Sequence, residues 1–568
     1  MRGVWYNAQM DQEVGNTRTS NLTRGASIMV VCVAIAKLLG VIWIIPVTQL
    51  IGTTGLGIYA NAYAVYNILL TLSTNGFPLA LGKLISERHA LNKRVEVEHM
   101  YRVTIKAIVI FSIISFLIMW FGAPLFSIFV AISTPKLAIE QMTPSIRAIS
   151  FSLLVVPLMS ALRGYLYGFQ RLEAPAYSQA VEQLFRVITM VVGAYLVMRV
   201  MGHGIIAGAA AATFGAFVGG AVGLVLLITA VIPIRREYRG MNIDKSPYTN
   251  RQMLKILWRI ALPVSLGALV VPISNMSDTY TVQNLLMLAG KTYKTALSDF
   301  GIYSRQALFL VQLPLSFAMA IGASVLPAIS EAKALKNHNA IQLNTVGTIR
   351  TMFFITFPTA AVLFVLARPI DFVIASSYEG ADIIKAVSFM AIFSSLELVS
   401  TYILQGLGQM YRPVRNMFLG VFVKVVFNVI LILATRSVMG AAIATTIGYL
   451  FSSALNVLAV RKYGNVRFSL IRLAKPFFTA TIPLFIGLVV INWMTHSLFS
   501  KLLLQSSWLL NMLQFVITSM LGAVIYLYFT MRIGAIREDE LRKLPGIGAR
   551  LSRIARRLHR ERQVRSQY

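Results

Sequence analysis

Basic side chains stand inside apolar runs long enough to cross a bilayer, and they outnumber the acids there. Lys37, Lys83, Arg147, Arg163, Arg186, Arg305 and Lys424 fall within or at the ends of such runs, against Glu182, Asp278 and Glu397. A charge in hydrocarbon is costly, so each is a functional candidate. If these groups only tied helices together, acids and bases would balance. Surplus cations call for water or an anionic partner. A phosphate or pyrophosphate supplies one, and arginine grips such a group through paired hydrogen bonds. Lys37 lies about 11 residues, or ~16 Å, into its run, close to mid-depth. Neither it nor Arg305 has an acid within one helical turn in the sequence.

The candidates fall into two groups. Lys37, Arg305, Lys83, Asn61, Asn75 and Asp278 are read as lining a substrate cavity. For Arg186, Lys424, Arg163 and Glu397, structural pairing competes with a substrate role. Glu182 and Arg186 stand i,i+4 and can neutralise each other, and Lys424 can pair with Glu397 or Asp278. Asn61, Asn67, Ser73, Thr74 and Asn75 on one run, and Gln306 and Gln312 on another, suggest one wet face per helix. For any single residue, hydrogen bonding between helices is the stronger alternative. No HExxH, GxSxG or phosphate-loop pattern occurs, so no catalytic residue, nucleotide or metal is expected. Cys32 is the only cysteine, which excludes a disulfide framework.

The elements that position these residues are transmembrane helices. The chain is 57% hydrophobic and 13% charged, with mean hydropathy +0.70. Apolar runs near 20 residues recur throughout, which identifies an all-α, polytopic membrane protein. About fourteen spans are expected, near 26–48, 58–82, 103–122, 146–169, 176–198, 204–234, 256–287, 302–328, 351–375, 386–407, 413–434, 437–460, 476–496 and 507–531. Prolines 46, 157, 263, 272 and 314 should bend their spans. About 39 of the Lys and Arg fall on one side of this arrangement and about 8 on the other, which places both termini in the cytoplasm. The net charge of +31 is thereby explained by loops facing anionic lipid, not by nucleic acid. The tail, 532–568, carries 11 Lys/Arg against four acids. Leu551, Ile554 and Leu558 recur among its arginines, as in a basic amphipathic helix on the inner leaflet.

The spans are duplicated. Gly57–Leu91 is written again as Gly301–Leu335, with Gly57-Ile58-Tyr59 over Gly301-Ile302-Tyr303 and Ile85-Ser86-Glu87 over Ile329-Ser330-Glu331. Leu166–Pro175 aligns with Leu404–Pro413, which sets Arg186 over Lys424, and Ala209–Gly215 aligns with Ala442–Gly448. Each half has six spans, so both enter from the same side. The expected organisation is a 1–25 cytoplasmic segment, a 26–240 lobe, a 241–465 lobe, two additional helices in 466–531, and the 532–568 tail. Parallel repeats of this kind form a midplane cavity between two rocking halves in many transporters. Gly215, Gly219 and Gly223 recur every four residues, as do Gly164 and Gly168, giving seams for close helix approach.

Several stretches carry a family likeness: LLGVIWIIPVTQLIGTTGLGIYANAY (38–63), STNGFPLALGKLISE (73–87), SFSLLVVPLMSALRGYLYGFQ (150–170), GIYSRQ (301–306) and VLPAISEA (325–332). They resemble the SpoVB/YtgP branch of the MurJ-type lipid II flippases, in the multidrug/oligosaccharidyl-lipid/polysaccharide exporter superfamily. The resemblance implies a 6+6+2 arrangement and a central cavity lined mainly by spans one, two, seven and eight. It implies alternating access that carries undecaprenyl-pyrophosphate-linked peptidoglycan precursor outward across the plasma membrane. Cavity cations would meet the pyrophosphate, and the two additional helices would form a groove for the lipid tail. Membrane lipids and the cell wall synthesis machinery are the implied partners. By position, Lys37 and Arg305 match the family's basic residues on spans one and eight. The chain departs from a common family pattern at Ile44, where many relatives have arginine. Some relatives hold sodium between spans seven and eleven; here span eleven offers Lys424 and Asn428, and no sodium site is expected there. Coupling to a membrane potential or an ion gradient is expected instead of ATP. The alternatives are a flippase for another lipid-linked repeat unit, of exopolysaccharide or teichoic type, a drug exporter, which surplus cavity cations disfavour, and a membrane glycosyltransferase. The last would need a catalytic acid on a sizeable outer loop, and the outer loops are short.

Overall fold

The computed structural model describes residues 43–238, 246–502 and 507–535, with scattered positions between 28 and 40. Among the described residues there is no strand. The helices are α1 (Ile44–Thr74), α2 (Gly76–Ala90), α3 (Arg94–Val130), α4 (Pro135–Ser150), α5 (Ser152–Gly168), α6 (Glu173–Tyr195), α7 (Ile205–Arg236), α8 (Asn250–Ala268), α9 (Val270–Leu288) and α10 (Tyr293–Gly301). A π-helical turn, Ile302–Ala307, follows. Beyond it lie α11 (Gln312–Ala334), α12 (His338–Val365), α13 (Ala367–Ala375), α14 (Ala381–Ser388), α15 (Met390–Gly406), α16 (Tyr411–Thr435), α17 (Met439–Gly464), α18 (Leu470–Leu502) and α19 (Ser507–Ile533). Twelve of the described segments are long and apolar enough to cross a membrane, or 13 if the α8–α9 pair, bent by 42°, is one span. Ten of the 23 residues of the first expected span, and the basic tail from 536 onward, lie outside the described residues. The protein is a polytopic all-α membrane protein.

The breaks follow from the sequence. Pro46, Pro78, Pro272, Pro314 and Pro369 each stand third in a helix, where a missing N–H leaves no bond unmade. At Pro272 the new start is also the expected bend, of 42° between α8 and α9. The loop expected at 49–56 is instead helical, apart from Gly52 at φ 68°, which only glycine adopts without strain. The span expected at 351–375 ends at Val365, and α13 beyond it is a separate helix. There Asp371 is fully buried and accepts a 2.7 Å hydrogen bond from the Gly380 backbone N–H.

Two compact units result: Met1–Met287 with Thr292–Gly301, and Leu288–Lys291 with Ile302–Tyr568. In the first, Phe77, Leu81, Ile85, Met100, Tyr165 and Leu166 anchor a core shared by α2, α3, α5, α7 and α8. In the second, Ile329, Met352, Leu404 and Val460 do the same for α11, α12, α15 and α17. The duplication is visible in how these cores close. A methyl group on Gly168 of α5 would sit 2.6 Å from Ile85 Cβ and 3.0 Å from Gly82 O of α2. On Gly406 of α15 it would sit 3.1 Å from Ile329 Cβ and 2.9 Å from Leu326 O of α11. Ile85 and Ile329 are aligned positions, so the same two helices meet at the same residues in each half. One turn away the fit is inverted. Gly164 receives Pro78 in the first unit, whereas Gly322 receives the ring of Tyr402 in the second.

Candidate functional site

In the first unit a buried ionic cluster joins α5, α6 and α7. Glu182, 10% exposed in its side chain, takes Arg186 Nη2 on one oxygen at 2.8 Å and Arg163 Nη2 on the other at 2.9 Å. Arg163 Nη2 also lies 3.1 Å from Ser178 Oγ, which donates to the Gly223 carbonyl at 3.1 Å. The expected glycine seam makes this possible. Gly219 and Gly215 let α7 lie directly on the Glu182 and Arg186 backbone, and Gly223 packs on Ser178 and Met159. The i,i+4 pair is therefore formed, with Arg163 as a second cation. Two guanidinium groups share one carboxylate, which leaves a net positive charge.

The second unit places another polar cluster among α15, α16 and α17. Glu397 Oε1 accepts from Thr401 Oγ1 at 2.9 Å and Asn456 Nδ2 at 3.3 Å. Asn456 Oδ1 in turn accepts from Asn416 Nδ2 at 2.9 Å. Lys424, 3% exposed, packs its stem where Gly448 of α17 has no side chain. Of the two acids open to it in the sequence, Glu397 is bonded to Thr401 and Asn456 instead. Arg305 sits in the π-helical turn, half-buried. Tyr303 of that turn is bonded to Thr445 of α17 at 2.6 Å, while both polar side-chain atoms of the fully buried Gln306 have no hydrogen-bond partner among the described residues. Such extra-residue turns occur often at functional sites.

The remaining candidates are dispersed. Lys83 is exposed and pairs with Glu87 at 3.8 Å. Asn61 is fully buried, and its amide is exchanged with Gln283 of α9 at 2.7 and 3.3 Å. Asn75 is exposed at the α1–α2 break, with Nδ2 donating to Thr71 O at 3.4 Å. Asp278 is buried on α9. Lys37 lies outside the described residues. Sequence reasoning missed Ser178, Thr401, Asn456 and Gln283. Extending the repeat alignment from Gly168 over Gly406 to their neighbours would have found the first two.

The second unit also carries an apolar crevice of about 450 Å³, walled by Phe357 and Phe364 of α12, Phe389, Ile392 of α15, and Phe478 and Phe485 of α18. It suits a hydrocarbon chain, and α18 is one of the two helices outside the repeats. The arrangement can hold an anion and an apolar chain.

Residues 180–514 match the family described as Lipid II flippase MurJ, and residues 22–333 match the family described as Polysaccharide biosynthesis protein. The chain is 27% identical to Lipid II flippase MurJ of Bacillus subtilis (strain 168), over 93% of this chain and 98% of that protein. It is 24% identical to Stage V sporulation protein B of the same organism, over 92% and 98%. A solved structure of Lipid II flippase MurJ in an inward closed conformation superposes with a TM-score of 0.65 at 16% identity, over 88% of this chain and 97% of that one.

Proposed function

Because this chain belongs to the lipid II flippase MurJ family, we propose that it carries an undecaprenyl-pyrophosphate-linked peptidoglycan precursor, lipid II, from the inner to the outer leaflet. Transport proceeds by alternating access, supplies cell wall synthesis and draws on a membrane potential or ion gradient. The observation that carries the reading is the excess of intramembrane cations over acids: even where an acid is present, at Glu182, two arginines share it. A pyrophosphate headgroup suits such a chain, and the phenylalanine-lined crevice suits a polyprenyl tail. Both termini are cytoplasmic in this reading. Depletion in the native host, followed by leaflet-resolved assay of lipid-linked precursors, tests it. Lipid II should accumulate on the cytoplasmic side; accumulation of a different lipid-linked glycan, with lipid II unchanged, overturns it.

A second reading, a flippase for another lipid-linked repeat unit, is favoured by the likeness to the stage V sporulation protein and by isoleucine at position 44. It keeps the mechanism and changes the glycan.

A further inference from the structure

Arg147 of α4 opens the expected span 146–169, yet it forms no ion pair among the described residues. Its hydrogen bond has a specific cause. Pro124 stands inside α3 and has no N–H, so the Trp120 carbonyl four residues earlier loses its helical donor. Arg147 Nε takes that place, donating to Trp120 O at 3.3 Å. The guanidinium carbon also lies 5.4 Å from the centre of the Trp120 ring, within cation–π range. One edge and one face of the group are thereby fixed. The Nη1 and Nη2 groups have no protein acceptor among the described residues.

Three helices place this pair at the edge of the hydrocarbon, at the end away from their basic residues. From Arg147 to Gly168, where α5 ends, is 21 residues, or ~32 Å. From Trp120 back to Arg102 on α3 is 18 residues, or ~27 Å, and Phe217 stands equally far from Arg235 on α7. Each distance is about one hydrocarbon thickness. Trp120 belongs to a nest of rings around Phe151, with Trp120 at 5.3 Å, Phe116 at 5.4 Å, Phe217 at 5.8 Å and Phe214 at 6.0 Å between centres. Aromatic side chains of this kind gather at the headgroup boundary. Beside the nest, α3 exposes Ile114, Leu117 and Phe121, a stripe suited to an acyl chain. Glu140, the other charged neighbour on this part of α4, is exposed two turns away and does not pair with Arg147. A cation held at this depth without a counter-charge calls for an anion from the lipid side.

We infer that Arg147, fixed by Trp120, binds the phosphate of an anionic glycerophospholipid on the flank of the first unit, in the leaflet opposite the basic loops. That is the outer leaflet in the topology proposed above. The Nη1 and Nη2 groups donate as a fork to two phosphate oxygens. A zwitterionic lipid brings its own cation, which competes with Arg147 for the phosphate, so the net negative charge of the lipid decides the preference. The site lies outside the polar clusters and is independent of what the protein transports.

The test uses the purified full-length protein in detergent, with bound lipids counted by native mass spectrometry and stability followed by thermal unfolding. Phosphatidylglycerol, phosphatidylcholine and inorganic phosphate are titrated separately. The wild type should take its first phosphatidylglycerol in preference to phosphatidylcholine and should gain melting temperature with it, but not with inorganic phosphate at the same concentration. Arg147→Gln should weaken that first binding by roughly ten- to a hundredfold, as loss of a charge-assisted hydrogen bond does. Arg147→Lys should recover part of it, since the charge returns without the fork. A merely structural role is separated through Pro124. Pro124→Ala gives the Trp120 carbonyl its own helical donor, so in that background Arg147→Gln should fold normally and still lose the lipid preference. Equal phosphatidylglycerol affinity with and without Arg147 in the Pro124→Ala background overturns the inference. So does a wild type that shows no preference over phosphatidylcholine, or one that inorganic phosphate stabilises equally well.

Discussion

At the scale of single residues, the Arg163–Glu182–Arg186 cluster separates what spacing reveals from what it conceals. Glu182 and Arg186 are one turn apart on one helix, so their pairing is legible in the sequence. Arg163 lies on a different helix, α5, and its contact with Glu182 crosses from α5 to α6, which spacing along one helix cannot reveal. Lys424 illustrates the converse: of the two acids open to it in the sequence, Glu397 bonds instead to Thr401 and Asn456. Glu182→Gln should leave two buried guanidinium groups without a counter-charge and destabilise the first unit by about 3–5 kcal/mol. Thermal unfolding in detergent measures this, and a change under ~1 kcal/mol would show the cluster to be solvated. Arg305 makes the opposite prediction. If it grips pyrophosphate, Arg305→Ala loses a charge-assisted bond of about 1.5–3 kcal/mol, hence roughly ten- to a hundredfold in substrate capture, at normal abundance. Arg305→Lys should recover part, since charge returns without the paired geometry. Lys37→Ala should behave as Arg305→Ala does. Full flipping by Arg305→Ala at normal expression removes Arg305 from the site.

At the scale of elements, the seams were readable from glycine spacing, but their partners were not, because a glycine does not name the surface it admits. Gly168 is the tighter contact, at 2.6 Å from Ile85 Cβ against 3.1 Å for Gly406 and Ile329. Gly168→Ala should therefore cost more stability than Gly406→Ala, within the range of about 1–3 kcal/mol typical of overpacking; comparison of the two melting temperatures checks the order. The break at Leu366 was not legible, since the apolar pattern runs through it. Beyond it, burial pushes the Asp371 carboxyl up to about 7, against the opposing hydrogen bond from Gly380. A carboxyl raised in the folded state favours the fold while protonated, so its contribution is complete below about pH 4 and lost as pH rises through about 7. Asp371→Asn keeps an acceptor for the Gly380 N–H and should flatten the fall in melting temperature between pH 5 and 8. An unchanged slope would assign that dependence to other groups.

At the scale of the whole molecule, composition and hydropathy were sufficient for the all-helical membrane class, because burial in lipid imposes long apolar runs on every span. The duplication was legible from a few aligned residues. Packing boundaries were not: α8 and α9 head the second copy by sequence, yet residues up to Met287 belong to the first compact unit. Ancestry is written in residue identity, whereas packing depends on contacts such as Asn61 with Gln283. In the proposed topology, with both termini in the cytoplasm, a cysteine at Thr53 should be labelled by an impermeant reagent only from outside, and a reporter after Tyr568 should read as internal. The reverse pattern for either would overturn the inside–inside topology.

The inverted fit of Gly164 with Pro78 and of Gly322 with Tyr402 bears on inheritance. The two copies have exchanged which helix supplies the bulk and which the hollow. Recombination that overwrote α5 with the sequence of α15 would drive a tyrosine ring into Pro78, and the reciprocal event would leave a hole beside Gly322. Gene conversion between the halves is tolerated only when it carries both helices of a seam together. Each half is thus held to its own lineage by a lock that only a double exchange can open.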